Sequence, residues 1–79
     1  MAEQVPVVGN ILTLIERRDW VRLEQLLAPD VHWTTGIEEH WHGPTEVIAR
    51  LQEDPVPGPP AYHATRSDGR LVRWIDKAG

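Results

Sequence analysis

The segment "PVPGPP" at residues 55–60 constrains the fold more than any other part of this 79-residue chain. It has four prolines in six residues, and proline lacks the backbone N–H group that helix interiors and central strands require. Such a segment is a stiff, extended connector. It is too short to separate two domains, so the chain is predicted to fold as a single domain over residues 1–79, with strands alone after the connector.

Before the connector, apolar residues recur at helical spacing in three segments, which predict helices over about residues 6–18, 19–28 and 44–54. Asp19 is a favourable N-cap for the second helix, and Gly43-Pro44 opens the third, because proline is pre-set for the first helical position. The predicted buried faces contain Val8, Ile11, Leu12 and Ile15 in the first helix, Trp20, Leu23, Leu26 and Leu27 in the second, and Val47, Ile48 and Leu51 in the third.

The remaining segments are rich in β-branched and aromatic residues. "VHWTT" predicts a strand over residues 31–35, and "HWH" a short return strand over residues 40–42. "AYHATR" and "RLVRWID" predict two further strands over about residues 61–66 and 70–76, joined by a turn. The predicted order is helix, helix, strand, strand, helix, strand, strand, which is an α+β fold.

The last hairpin has two possible registers. A two-residue loop would place His63 opposite Trp74, whereas a three-residue Ser67-Asp68-Gly69 loop with a left-handed glycine would place Tyr62 there. A slip of one residue reverses which side chains face inward. We favour the three-residue loop, because it pairs two aromatic side chains across the strands.

The composition argues against several classes of protein. Eight Lys and Arg against 12 Asp and Glu give a net charge of −4, and the basic residues are scattered, so no nucleic-acid partner is predicted. The absence of cysteine excludes disulfides and thiolate metal sites and fits a cytoplasmic protein. Neither a signal peptide nor a run of membrane length is recognised. Since so short a chain buries only about 60–65% of its unfolded surface, its core is thin.

Three segments carry a resemblance to a known family. "IERRDWVRLEQLLAPDVHWT", "WHGPTEVIARL" and "SDGRLVRWID" resemble the SnoaL-like branch of the nuclear-transport-factor-2-like superfamily. The resemblance implies a cone-like curved antiparallel sheet packed against three helices, an apolar pocket inside, and often a dimer across the sheet. The superfamily includes polyketide cyclases, ketosteroid isomerase and limonene epoxide hydrolase, so the fold does not fix the function.

The chain departs from this family in two respects. It is shorter by about two strands, which "PVPGPP" replaces, and an exposed pocket would need a second subunit to cover it, so a homodimer is predicted. In a rough alignment, the general base of ketosteroid isomerase falls on Thr35, its first-helix tyrosine on Ile11 and its second acid near Tyr62. Two of these three groups are missing, so isomerase chemistry of that kind is not expected. In SnoaL-like cyclases an acid or histidine of the sheet wall transfers the proton, for which Asp76 and His32 are the nearest candidates.

The aromatic residues favour a hydrophobic ligand pocket. The chain has four tryptophans, one tyrosine and no phenylalanine, and such amphipathic rings line pockets as readily as cores. An aromatic or polycyclic molecule between tryptophan rings is therefore the predicted partner. The ligand-binding candidates are Ile11, Ile15, Trp33, Thr35, Trp41, Ala64, Val72 and Trp74.

Three residues are candidates for proton transfer. Asp76, beside a predicted apolar pocket, would suit a general base, and the alternative is a residue near the chain end in water. Tyr62 could donate a hydrogen bond to a carbonyl or enolate, or simply pack against Trp74. His32 alternates with Trp33, so only one of the two can face a cavity. No organic cofactor is implied.

Two further histidines raise the question of a metal. His40 and His42 share one face of a strand, and Glu38, Glu39 or His32 could supply a third ligand to zinc or nickel. This spacing is not diagnostic, so the preferred interpretation is no metal and a solvent-facing edge.

Three functions follow. The leading one is a small hydrophobic-ligand pocket protein, with any chemistry being proton transfer of the cyclase or isomerase type. The second is a non-catalytic dimeric interaction module, and the third is a metal-binding accessory protein.

Overall fold

Three helices and a four-stranded mixed sheet make up the computed structural model, which describes residues 7–54 and 56–78. The elements are α1 (Val7–Arg17), α2 (Trp20–Leu26), β1 (Leu27–Thr34), β2 (His40–His42), α3 (Pro44–Glu53), β3 (Pro60–Thr65) and β4 (Leu71–Asp76). The predicted α+β class is confirmed. Residue 6, at the predicted start of the first helix, and residue 55 of the connector lie outside the described ranges.

The helices form where caps and apolar spacing favour them. Asp19 caps α2 by accepting a hydrogen bond from the backbone N–H of Arg22 at 3.3 Å. Pro44 lies in the first turn of α3, after Gly43 with φ +85°. In the described ranges, no helix combines the length and the hydropathy that crossing a membrane would require.

The boundary between α2 and β1 lies earlier than predicted. The helix ends at Leu26, and Leu27 already has extended geometry, with φ −99° and ψ 132°. The prediction of a helix to residue 28 is therefore wrong. Pro29 disfavours helical geometry at Ala28, and the chain becomes extended one residue before that.

The strand order is β2-β1-β4-β3, and the sheet is neither closed nor strongly curled. The pairs β1·β2 and β3·β4 are antiparallel, but the central pair β1·β4 is parallel. The expectation of an antiparallel sheet is therefore wrong for that pair. Strands β2 and β3 run in the same direction at opposite edges, and joining two parallel strands requires a crossover, which contains α3.

The hairpin β3–β4 has the three-residue loop that the sequence predicts. The backbone N–H of Arg66 donates to the carbonyl of Arg70 at 2.8 Å, and that of Gly69 donates to the carbonyl of Arg66 at 2.9 Å. Gly69 has φ +87°, the left-handed conformation that glycine adopts at least cost.

The register beyond this loop differs from the prediction. The pairing skips Val72, which forms a β-bulge, so that His63 rather than Tyr62 lies opposite Trp74. Tyr62 lies opposite Ile75 and is 55% exposed. The predicted pairing of Tyr62 with Trp74 is therefore wrong, because one extra residue in β4 reverses the faces of β3.

One face of the sheet forms the core with the helices. Trp33, Trp41 and Trp74 belong to a buried cluster that also contains Ile11 of α1 and Val47 of α3. Side chains alternate along a strand, so the neighbours of these tryptophans lie on the opposite face. We call that surface the open face; it carries Tyr62, Ala64, His32, Thr34, His40, His42, Arg73 and Ile75.

Candidate functional site

A surface cleft lies where the two parallel strands end. Its volume is about 400 Å³, compared with about 290 and 320 Å³ for two other surface clefts. Strand β1 ends at Thr34 and β4 ends at Asp76, so residues distant in sequence meet there. We call it the carboxyl-end cleft; its lining residues are Thr34, Thr35, Gly36, Glu38, His40, Ile75, Asp76 and Ala78.

The turn between β1 and β2 forms one wall of this cleft. The hydroxyl of Thr35 accepts hydrogen bonds from the backbone N–H groups of Ile37, at 3.3 Å, and Glu39, at 3.0 Å. The backbone N–H of Glu38 donates to the carbonyl of Thr35, and Glu38 adopts φ +67°. Thr35, a predicted ligand-binding residue, therefore lines the cleft and also holds its wall in place.

An acidic side chain on the opposite part of the cleft is held by a buried tryptophan. The indole Nε1–H of Trp74 donates to Oδ1 of Asp76 at 2.6 Å. A carboxylate can accept several hydrogen bonds, so Asp76 retains the capacity to accept one from a ligand.

A histidine pair lies on the open face at the border of the cleft. Nε2 of His32 and Nδ1 of His40 share a hydrogen bond of 2.8 Å, and the hydroxyl of Thr34 lies 3.3 Å from the same Nδ1. The ring of His42 stacks on that of His32, with centroids 4.4 Å apart. His40 lines the cleft and His32 does not, although both histidines belong to the open face.

The pKa of His32 is lowered from its usual value of 6.5. Burial is the largest cause, followed by the positive charge of Arg73 and by the imidazoles of His42 and His40. His32 therefore favours the neutral state.

Arg73 supports this arrangement from the neighbouring strand. Its Nη1 donates to the carbonyl of His32 at 3.1 Å, to the hydroxyl of Thr34 at 2.9 Å and to the carbonyl of Trp74 at 3.1 Å. These bonds hold the guanidinium against β1 and fix the Thr34 hydroxyl beside the histidine pair.

Of the three residues predicted for proton transfer, Asp76 alone lines this cleft. His32 is outside the lining and contacts His40, which belongs to it. Tyr62 is also outside the lining and lies opposite Ile75 on the edge strand. The cleft therefore combines Asp76 with His40 and Thr34 rather than with the other two candidates.

Three residues of this arrangement carry no prediction of a role in it. The sequence pattern assigns no function to Arg73 or Thr34, and it indicates His40 only as a candidate metal ligand. The alternation of His32 with Trp33 does place the first histidine away from the core, as the sequence indicates. The parallel pairing that brings Arg73 to β1 has no signal in the local pattern.

The three sheet tryptophans lie in the core and line none of the three clefts. The rings of Trp33 and Trp74 stack with centroids 4.4 Å apart, and those of Trp33 and Trp41 are 6.2 Å apart. Nε1 of Trp33 and Nε1 of Trp41 are buried without a hydrogen-bond partner among the described residues. A ligand between the indoles would require the stacked rings to separate.

The other predicted ligand-binding residues are distributed over two regions. Ile11 and Ile15 are buried in the core, where α1 packs against the sheet. Ala64 and Val72 are half-buried on the hairpin β3–β4. None of these four residues lines the carboxyl-end cleft.

Within residues 7–54 and 56–78, no group of three or more His, Cys, Asp or Glu side chains has a geometry that could hold a metal ion. His40 and His42, the metal candidates of the sequence analysis, lie on an edge strand with Trp41 pointing into the core between them.

Comparisons with protein-family models, with curated proteins and with solved structures find no match for this chain.

Proposed function

We propose that the protein binds a small molecule in the carboxyl-end cleft and has the groups for proton transfer of the cyclase or isomerase type. The observation that supports this proposal is the meeting of the Asp76 carboxylate, the His40 imidazole and the Thr34 hydroxyl in one cleft of about 400 Å³. Binding sites for small ligands typically have volumes of about 300–1,000 Å³, so the size suits a small molecule.

The chemistry of the lining indicates the ligand class. Ile75 contributes apolar surface to the lining, and Tyr62 lies outside the lining, opposite Ile75 on β3. Asp76 and Thr34 provide hydrogen-bonding groups. A ligand with an aromatic or apolar body and a carbonyl or hydroxyl group satisfies both parts of the cleft.

In the proposed proton transfer, Asp76 removes a proton from a carbon atom next to the ligand carbonyl, and an enolate forms. His40 donates a hydrogen bond to the enolate oxygen, and the protonated Asp76 returns its proton, or one exchanged with solvent, to carbon, so that the carboxylate is restored. The hydrogen bond between His32 and His40 orients the His40 imidazole for this role. His40 and His32 lie on different strands from Asp76, so the hydrogen-bond donor and the base are contributed separately.

A panel of fused-ring aromatic ketones and phenols, including 2-tetralone, tests the proposal. We expect saturable NMR shifts at the lining residues and exchange of the ketone's α-protons with deuterated solvent above the buffer rate. Asp76→Asn should abolish this exchange, whereas Asp54→Asn, an exposed residue at the end of α3, should not change it. No saturable shift with any member of the panel, or equal exchange in Asp76→Asn, would contradict the proposal.

The resemblance to the SnoaL-like branch remains a proposal. Three helices on one face of a sheet support it, whereas the mixed sheet, which is neither closed nor strongly curled, departs from the cone that the family implies. A tryptophan-lined ligand space also remains a proposal, and it would require the stacked indoles to part.

A second candidate is a dimeric interaction module that pairs through the open face. The observation that favours it is an exposed Tyr62 beside half-buried Ile75 on the sheet face away from the helices. Sedimentation velocity is expected to show a dimer that Tyr62→Lys dissociates. A wild-type chain that stays monomeric at hundreds of micromolar would contradict this candidate and leave the cleft proposal intact.

A further inference from the structure

Three basic side chains form a row across the open face. His32 of β1 lies opposite His42 of β2 on one side and opposite Arg73 of β4 on the other. We call His42, His32 and Arg73 the cationic row. On the far side, β3 places Ala64 opposite Arg73, so the row ends at a small side chain.

The geometry of the cationic row is fixed by contacts within the protein. The rings of His32 and His42 stack at 23° with centroids 4.4 Å apart. In all three hydrogen bonds that Arg73 makes with described residues, Nη1 is the donor atom. The guanidinium is therefore held in place by one nitrogen, while a guanidinium has five N–H donors in all.

The carboxylates of Glu46 and Asp30 contact groups other than the three side chains of the row. Oε1 of Glu46 accepts a hydrogen bond from the backbone N–H of His42 at 3.1 Å. Asp30 pairs with Arg66, at 3.9 Å. In the described part of the chain, each of the three ion pairs involves an arginine other than Arg73.

We propose that His42, His32 and Arg73 form a binding site for a small oxyanion, such as a phosphate or carboxylate group, on the open face. A guanidinium matches the oxygen spacing of these groups, and imidazole N–H groups add donors from the side. The chain as a whole has a net charge of −4, so this row is a local exception and not part of a general basic surface.

Binding of the oxyanion should be coupled to the uptake of protons by the protein. In the free protein, burial together with Arg73, His42 and His40 lowers the pKa of His32, because its charged form is disfavoured. A bound oxyanion offsets this repulsion and favours the imidazolium form of His32. The complex therefore takes up protons, and binding tightens as pH falls.

Sulfate is the probe, because its charge stays constant between pH 6 and pH 8. NMR titration at constant ionic strength should give saturable shifts at His32, His42 and Arg73. Affinity should rise about ten-fold per pH unit for each proton taken up. Shifts that do not saturate, or an affinity that is equal at both pH values, would overturn the proposal.

Paired variants test the assignment of residues. Arg73→Gln and His42→Gln should each weaken sulfate binding about ten-fold, because each removes a charged or charge-assisted donor. Arg70→Gln and His63→Gln, exposed residues outside the row, should leave it unchanged. His42 is exposed, so His42→Gln is expected to keep the fold. If Arg73→Gln does not fold, sulfate binding by His42→Gln tests the site. Equal losses in control and row variants would refute the site.

This inference does not depend on the cleft. Asp76→Asn should bind sulfate as the wild-type protein does, so failure of the proposed proton transfer and failure of the oxyanion site are observed separately. Sulfate binding that Asp76→Asn weakens as much as His42→Gln would show that the anion binds in the cleft, and would overturn the row as its site.

Discussion

The indole rings of Trp33 and Trp74 stack across the parallel pair β1·β4, with centroids 4.4 Å apart and 11° between their planes. Both side chains are fully buried. Trp33 also stacks on Trp41 of β2, so it is the central ring of three. The contact joins β1, from the first half of the chain, to the C-terminal hairpin.

Trp33→Ala is expected to lower the free energy of unfolding by about 3–5 kcal/mol, the usual cost of removing a buried aromatic side chain. The free energy of unfolding of a small domain is only about 5–15 kcal/mol, so Trp33→Ala should strongly lower the urea concentration at the midpoint of unfolding. Trp20→Ala, at a half-buried position, is the control and should cost less. A loss below about 1 kcal/mol at Trp33 would be incompatible with a central role for its ring.

The indole N–H groups of Trp33 and Trp74 should have different energetic importance. Nε1 of Trp33 has no partner in the described residues, whereas that of Trp74 donates to Asp76. Trp74→Phe should therefore be more destabilising than Trp33→Phe by about 1–2 kcal/mol, because it removes a hydrogen bond to a charged group. Chemical denaturation of the two variants measures this difference. The reverse order would show that the bond to Asp76 contributes nothing.

Stability should decrease as the pH is lowered from neutral. The pKa of His32 is lower in the folded chain than its usual 6.5, so the unfolded state binds more protons in this range. The contribution of His32 to the free energy of unfolding is fully present above pH 6.5. It is lost as the pH falls through the lower pKa that His32 has in the folded state. His32→Gln should reduce the slope of unfolding free energy against pH between 7.5 and 5.5. His63→Gln should leave that slope unchanged, and a slope equally reduced in both variants would argue against the assignment.

Two glycines should respond to alanine in opposite directions. Gly69 has φ +87°, which costs an L-residue about 1–2 kcal/mol, so Gly69→Ala should destabilise the hairpin. Gly9 lies in α1 with nothing within 4 Å of the position an added Cβ would occupy. Gly9→Ala should stabilise the protein by about 0.5–1 kcal/mol, because it restricts the unfolded chain. Thermal unfolding compares the two, and a stabilising Gly69→Ala would contradict the left-handed turn.

Local sequence patterns predict the parts of this fold that local physics determines. Ile11 and Ile15 recur at helical spacing, and both are buried on α1. The alternation of His32 with Trp33 correctly separates the two faces of β1. The glycine of "SDG" correctly indicates a three-residue loop with a left-handed position.

The features that the sequence analysis misplaced depend on partners distant in the chain. The parallel pairing of β1 with β4 is set by the crossover through α3, which no strand pattern reveals. The bulge at Val72 has no signal in the alternation of β4, and it moves Tyr62 away from Trp74. The cleft lies where both parallel strands end, so its combination of Asp76 with His40 follows from that pairing.

Strand β3 forms one edge of the sheet, with a neighbour on one side only. Edges of this kind can recruit a strand from another molecule and so begin aggregation. Proline cannot donate a backbone hydrogen bond, and β3 begins at Pro60, directly after Pro57, Gly58 and Pro59. The first residue of this edge therefore offers no backbone donor to a foreign strand, which limits where such a strand can pair.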